Sequence, residues 1–259
     1  MLKFWYEDAK GALFDSLNQA SSNSKFMFEN LFSNLKEEDK NAAIENIIAH
    51  ASPRIDFFLM LSLSLSMAVF GVLLGSPVIL IGSMLIAPLL YPVLSLALGV
   101  IVSDAKLIAR SFYTLAKSVG IGLSVGLVIG LLFAGASSIE SISLATYVGG
   151  ASSFMYSVVA VIAGFAAAFA ITKPHLNETL PGVAIAVALV PPLANAGVGM
   201  SLFDWEMISS SLLLFTVNVI GIMFSAMIVF AMFKFSFKKT EAAEAVLKDE
   251  QEIKIEESA

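Results

Sequence analysis

Charge is nearly absent from the middle of this chain, and that constrains the fold more than any motif does. Residues 57–233 carry nine charged side chains in 177 positions, while the other 82 residues carry the remaining 27 of 36. A soluble domain has roughly 25% charged residues; this chain has 14%, with 58% hydrophobic. That split excludes a soluble globular enzyme and a disordered chain, and it describes a polytopic membrane block with polar ends. Three parts follow: a cytoplasmic N-terminal segment (1–56), a membrane domain (57–233) and a charged cytoplasmic tail (234–259). Their net charges of −3, −1 and −2 leave no basic region, so nucleic acid is not an expected partner. With no cysteine there is no disulfide framework and no thiolate metal site. The first long apolar run begins at Phe57 and is expected to act as an uncleaved insertion signal rather than a signal peptide.

A helix needs about 20 apolar residues to cross the hydrocarbon core. Six segments qualify: 57–75, 77–102, 107–134, 153–172, 180–203 and 206–233. The distribution of basic residues sets their direction. With both termini in the cytoplasm, Arg54, Lys106, Lys173, Lys234, Lys238 and Lys239 all lie beside the inner surface. The outer connections (76–77, 135–152 and 203–206) then hold no Lys or Arg. The expected architecture is all-α, with six crossings and both ends inside.

The second and fifth segments are punctuated alike. The second reads Ser83-Met-Leu-Ile-Ala-Pro88-Leu-Leu-Tyr91-Pro92 and the fifth Val187-Ala-Leu-Val-Pro191-Pro192-Leu-Ala-Asn195. Aligning Pro88 with Pro191 sets the copies 103 residues apart, and weaker matches extend outward to Ile44-Glu45-Asn46-Ile47 and Ile139-Glu140-Ser141-Ile142. A repeat unit with three crossings inverts its second copy, giving two inverted three-helix repeats with a broken helix in each. Matched, proline-interrupted segments in two halves are the best sequence pointer to a transporter binding site; the plain alternative is an old duplication with kinks kept for packing.

Proline lacks an amide hydrogen and frees the carbonyl four residues earlier. Within a continuous helix, Pro88 and Pro92 would free Met84 and Pro88, and Pro191 and Pro192 would free Val187 and Ala188. Bare carbonyls in lipid must face protein, water or a ligand. The candidate substrate-binding residues are therefore Ser83, Pro88, Tyr91, Pro191, Pro192, Asn195 and Asn218, the last a deep amide in the sixth segment. Hydrogen bonding to neighbouring helices is the competing explanation for these groups. No Asp or Glu lies deep in any segment, so a carboxylate proton relay is unsupported.

In the third segment, Arg110 and Lys117 share a face and either guide an anion inward or snorkel to the inner surface. The same segment carries Gly122, Gly126 and Gly130 at steps of four. That stripe suits close helix packing, either within one chain or as a homo-oligomer seam. Residues 26–50 are expected to form amphipathic helix lying on the membrane or docked to the bundle. The tail from Thr240 is expected to be a frayed, solvated helix or disordered. His50 and His175 cannot make a three-ligand zinc site without a carboxylate, and no H-E-x-x-H, G-x-S-x-G or Walker A pattern occurs. No cofactor, no metal and no enzymatic activity are expected.

Gly82-Ser-Met-Leu-Ile-Ala-Pro-Leu and Leu180-Pro-Gly-Val-Ala-Ile-Ala-Val-Ala-Leu-Val-Pro-Pro-Leu-Ala resemble the two hallmark segments of a prokaryotic hydrophobic family, domain of unknown function 389. The resemblance covers roughly residues 40–233 and departs at Leu90 and Tyr91, where the family usually has Met and Gly. It implies a multi-pass protein of a bacterial or archaeal cytoplasmic membrane and assigns no substrate or catalytic residue. The expected function, from the repeat and the breaks alone, is a transporter or channel for a small solute or ion. The alternative is a non-transporting membrane scaffold or signalling subunit that binds protein or lipid.

Overall fold

The structure, a computed structural model, describes residues 35–133, 151–173, 176 and 189–258. The chain divides into two units, Met1–Glu37 and Glu38–Ala259. Nearly all of the first lies outside the described residues, and every contact below belongs to the second. Among the described residues all regular elements are helical: α1 (Glu37–His50), α2 (Ile55–Leu73), α3 (Pro77–Ile86), α4 (Leu90–Val102), α5 (Ala105–Phe133), α6 (Ala151–Thr172), α7 (Val190–Leu202), α8 (Trp205–Met232), a 3-10 turn (Phe235–Phe237) and α9 (Lys239–Ser258). Three of these, α2, α5 and α8, are each long and apolar enough to cross a membrane. Together α3 and α4 make a fourth candidate, bent by 49° at its break. In α6 the apolar stretch described is Ser157–Thr172, and α7 has 13 residues, so neither reaches crossing length by itself.

Proline chemistry explains where the second segment divides. Pro77 sits in the first turn of α3, where a missing amide costs nothing. The residue before a proline is driven from helical to extended backbone, and Ala87, before Pro88, has φ −71° and ψ 125°. The helix stops there and restarts at Leu90, so the segment is unwound over 87–89 rather than merely kinked. The fifth segment differs from the expectation of a helix carrying prolines at its centre. Pro191 and Pro192 occupy the first turn of α7, where no helical amide is lost. Residues 177–188 lie outside the described residues, including the carbonyls of Val187 and Ala188.

Two helical hairpins, α4–α5 and α7–α8, share one turn design. Ser103 (φ 56°) and Phe203 (φ 55°) close the first helix in the left-handed conformation. Asp104 and Asp204 donate their amides to the carbonyls of Gly99 and Gly199, both at 3.0 Å. Each carboxylate then caps the next helix, accepting from the amide of Leu107 at 2.9 Å and of Met207 at 3.0 Å. Every element of this turn recurs 100 positions later. The register read from Pro88 and Pro191 is thereby corrected: Pro92 matches Pro192, and Pro88 has no proline counterpart. Removing either cap, as Asp104→Ala or Asp204→Ala, should cost about 1 kcal/mol, read as a lower thermal midpoint of the purified protein in detergent.

Close approaches fix the directions of neighbouring helices. A Cβ added at Gly122, Gly126 or Gly130 would strike Leu193, Gly197 or Ser201 respectively, so α5 and α7 run parallel in constant register. Gly164 and Gly221 place α6 parallel to α8 in the same way. The contacts Gly71–Leu80 and Gly82–Met67 make α2 and α3 antiparallel. The three glycines of α5 thus face α7 of their own chain, one of the two outcomes that spacing alone left open.

The described residues on both sides of the apolar block are helical. Ala43, Ile44, Ile47 and Ile48 of α1 are buried, and His50 at its end stacks on Tyr91 of α4; residues 26–34 lie outside the described residues. The tail, expected as a frayed, solvated helix or as disordered chain, is the helix α9, and it is docked rather than solvated, with Ala242, Ala245, Val246 and Asp249 buried. Ion pairs described below supply the reason.

Candidate functional site

The seven candidate residues fall on four helices and one break. Ser83, on α3, is fully buried; its hydroxyl donates to the carbonyl of Leu80 at 2.7 Å. Its own carbonyl accepts from the Ser64 hydroxyl of α2 at 2.7 Å and from the Ala87 amide at 3.3 Å. The last carbonyl bonded before the break is therefore well satisfied by protein. Pro88 lies in the break. Tyr91, half-buried at the start of α4, stacks on His50 with ring centroids 4.7 Å apart. Pro191 and Pro192 are buried at the start of α7.

Asn195 is 2% exposed. Its Nδ2 donates to the Ser211 hydroxyl of α8 at 2.7 Å, and its Oδ1 is buried with no protein partner. Asn218 is buried further along α8. No hydrogen bond joins Ser83 to Asn195, so the structure does not gather the seven residues into one bonded cluster: Ser83 is held against α2 and Asn195 against α8.

Sequence reasoning missed the partner residues. In the first hairpin the Ser111 hydroxyl of α5 donates to the Ser95 hydroxyl of α4 at 2.7 Å, both side chains buried. Ser95 and Asn195 are 100 positions apart, as are Ser111 and Ser211, and each pair spans 16 residues. The same shift carries Ser118, fully buried on α5, to Asn218 on α8. The hairpins therefore repeat a ladder of buried polar groups as well as a turn. An alignment anchored on Pro92 and Asp104 finds this ladder; one anchored on Pro88 cannot.

The two cations of α5 have separate fates. Lys117 places its ammonium 4.0 Å from the centre of the Phe58 ring and 5.9 Å from that of Tyr113, an exposed cation–π arrangement. Arg110 is ion-paired to Asp249 of α9 and donates to the Ser52 hydroxyl at 2.9 Å. Among the described residues, no group of three or more His, Cys, Asp or Glu side chains is placed to hold a metal ion.

Residues 84–224 match the family described as domain of unknown function (DUF389). An uncharacterized protein of Methanocaldococcus jannaschii is 32% identical over 217 residues, which is 82% of this chain and 65% of that protein. The chain thus spans just under two thirds of that relative's length. No solved structure matches the chain.

Proposed function

The chain belongs to the family of domain of unknown function 389, so from its own geometry we propose that it is a membrane transporter or channel for a small solute or ion, with the path passing between α4 and α7. Six crossings carry it, with both termini in the cytoplasm and the halves related as inverted repeats. The helix directions support this reading. Parallel α5 and α7, parallel α6 and α8, and antiparallel α2 and α3 are the relations six alternating crossings require. Phe203 and Trp205, strongly exposed at the tip of the second hairpin, suit the headgroup level where aromatic residues collect.

One observation carries the functional reading. Two short helices begin at prolines within the apolar block, and each ties a buried polar side chain to the next long helix in the same register. One of those side chains, Asn195, keeps a buried oxygen that no protein donor reaches. In a dry interior an unmatched acceptor costs about 1–3 kcal/mol, and a water or a polar solute at Asn195 removes that cost. The path serves passage of such a species past Tyr91, Asn195 and Asn218.

The absence of native cysteine makes the test direct. Single cysteines at Ser83, Tyr91, Asn195 and Asn218 are exposed to small membrane-impermeant thiol reagents in sealed vesicles, with lipid-facing Ile220→Cys as control. Labelling at Tyr91 and Asn195 about tenfold above that control is expected for a wet path. Cysteines that stay silent in folded protein but react after denaturation describe a dry interior, and the scaffold reading then replaces transport.

A further inference from the structure

Charge, rather than packing, holds α9 in place. Its buried apolar residues among those described are Ala242, Ala245 and Val246, all small, while Leu247 and Ile255 are exposed. A cleft of about 420 Å³ remains between α9 and α1, lined by Asn46, His50, Ala245 and Asp249 among others. Against this thin apolar contact stands a dense set of ion pairs. Arg54, just ahead of α2, reaches Asp249 at 2.9 Å, Glu252 at 2.7 Å and Glu256 at 3.1 Å. Arg110 of α5 grips the other oxygen of the same Asp249. Lys106 holds Glu250 at 2.7 Å, and Lys248 approaches Glu45 of α1 at 3.6 Å. Asp249 is 4% exposed and is shared by Arg54, ahead of α2, and Arg110 of α5. Arg54 Nε and Arg110 Nη1 are buried without partners, so the cluster is not fully satisfied even when closed.

We propose that α9 is a displaceable cover over the end of the bundle where α2 and α5 begin, pinned by Asp249 between Arg54 and Arg110 and released when the exposed pairs around that pin are screened or the pin itself is removed. Resting on the transport reading, the cover closes the inner mouth of the path. Ser111, which bonds Ser95, is the residue after Arg110, so the inner polar pair lies directly behind the pin. Freeing Asp249 uncouples the start of α2 from α5 and lets water reach Ser95.

The full-length protein is treated with trypsin in inside-out vesicles, and cleavage after Lys254 is followed by mass spectrometry against a free peptide of the α9 sequence. The screening length falls from roughly 10 Å at 0.1 M salt to about 3 Å at 1 M, which weakens the exposed pairs Lys106–Glu250, Lys248–Glu45 and Arg54–Glu256 far more than the buried Asp249–Arg110 contact. Cleavage tracks the population of the open form, so wild-type α9 should be cut about tenfold faster at the higher salt. Asp249→Asn should be cut that fast at low salt. In Glu45→Cys/Lys248→Cys, a reducible thiol crosslinker should restore protection at high salt until it is reduced. Equal protection at both salts and in Asp249→Asn overturns the proposal, as does immediate cleavage of the wild type at low salt. Impermeant labelling of Ser95→Cys from the inner side should rise about tenfold with Asp249→Asn; an unchanged rate overturns the closing role. Trypsin needs no water path, so α9 can prove displaceable even if Tyr91→Cys and Asn195→Cys stay dry and the transport reading falls.

Discussion

Gly126→Leu should be the most damaging single substitution in the membrane block. Even a Cβ at this position would lie 2.6 Å from the Cα of Gly197 on α7, and the next nearest atoms are also backbone. Backbone cannot rotate away as a side chain can, so α5 and α7 must separate. Overpacking typically costs 1–3 kcal/mol; with two main chains in contact, about 3 kcal/mol or more is expected. The purified variant should melt well below wild type in detergent or fail to elute as a single species. Gly120→Leu is the matched control: it lies on the same helix with nothing within 4 Å of its added Cβ, and should leave stability unchanged or raise it by up to about 1 kcal/mol, because glycine is the poorer helix former. Similar melting of the two variants would mean that α5 and α7 do not cross at these glycines.

The second large effect is expected at Arg110. Its side chain is 12% exposed and that of Asp249 6%, so truncating Arg110 takes one of two arginines from a buried carboxylate that Arg54 still holds at 2.9 Å. Leaving a buried charge wholly unpaired costs about 3–5 kcal/mol, which sets the ceiling for this loss, whereas replacing both members of a buried pair by apolar residues is often neutral. Arg110→Leu should therefore lower the thermal midpoint, and Arg110→Leu/Asp249→Leu should recover much of the loss. A coupling of about 1 kcal/mol or more across the double-mutant cycle is expected for residues in one network; additive losses would show that the pair contributes nothing. Burial lowers the Arg54 pKa, but the hydrogen bond to Glu252 and the charge of Asp249 outweigh it, and the net shift is upward. For a base held above its unfolded pKa, the stabilisation is complete below that unfolded value. It is lost only as pH rises through the folded one, beyond ordinary working conditions.

Charge spacing made the outline of the fold legible. The ends of α2, α5, α6 and α8 fall within two residues of the apolar segments that foretold them. Ser103-Asp104 and Phe203-Asp204 are strong local stop-and-cap signals that need no tertiary context. Ala87 and Pro88 likewise encode their own break. The position of α9 was not legible. Its buried face is three small residues in a run of Glu and Lys, a pattern shared with solvated helices, and it docks through arginines almost 200 and 140 positions away. The polar ladder was missed for another reason. Serine is common in membrane helices, and Ser95 and Ser111 acquire meaning only beside Asn195 and Ser211 in the correct register. The glycine stripe signalled a close contact but not the partner, because small residues fit a neighbouring helix of either chain.

The most direct test uses the matched pair Ser95 and Asn195. If the two halves are inverted repeats around one path, equivalent residues lie in opposite leaflets. Each is then approached from its own side. With Asp249→Asn freeing the inner end, Ser95→Cys should react with an impermeant thiol reagent added to the cytoplasmic face and Asn195→Cys with the same reagent added outside. Reaction of both cysteines from one side only would contradict the inversion, and silence of both in folded protein would contradict the path itself.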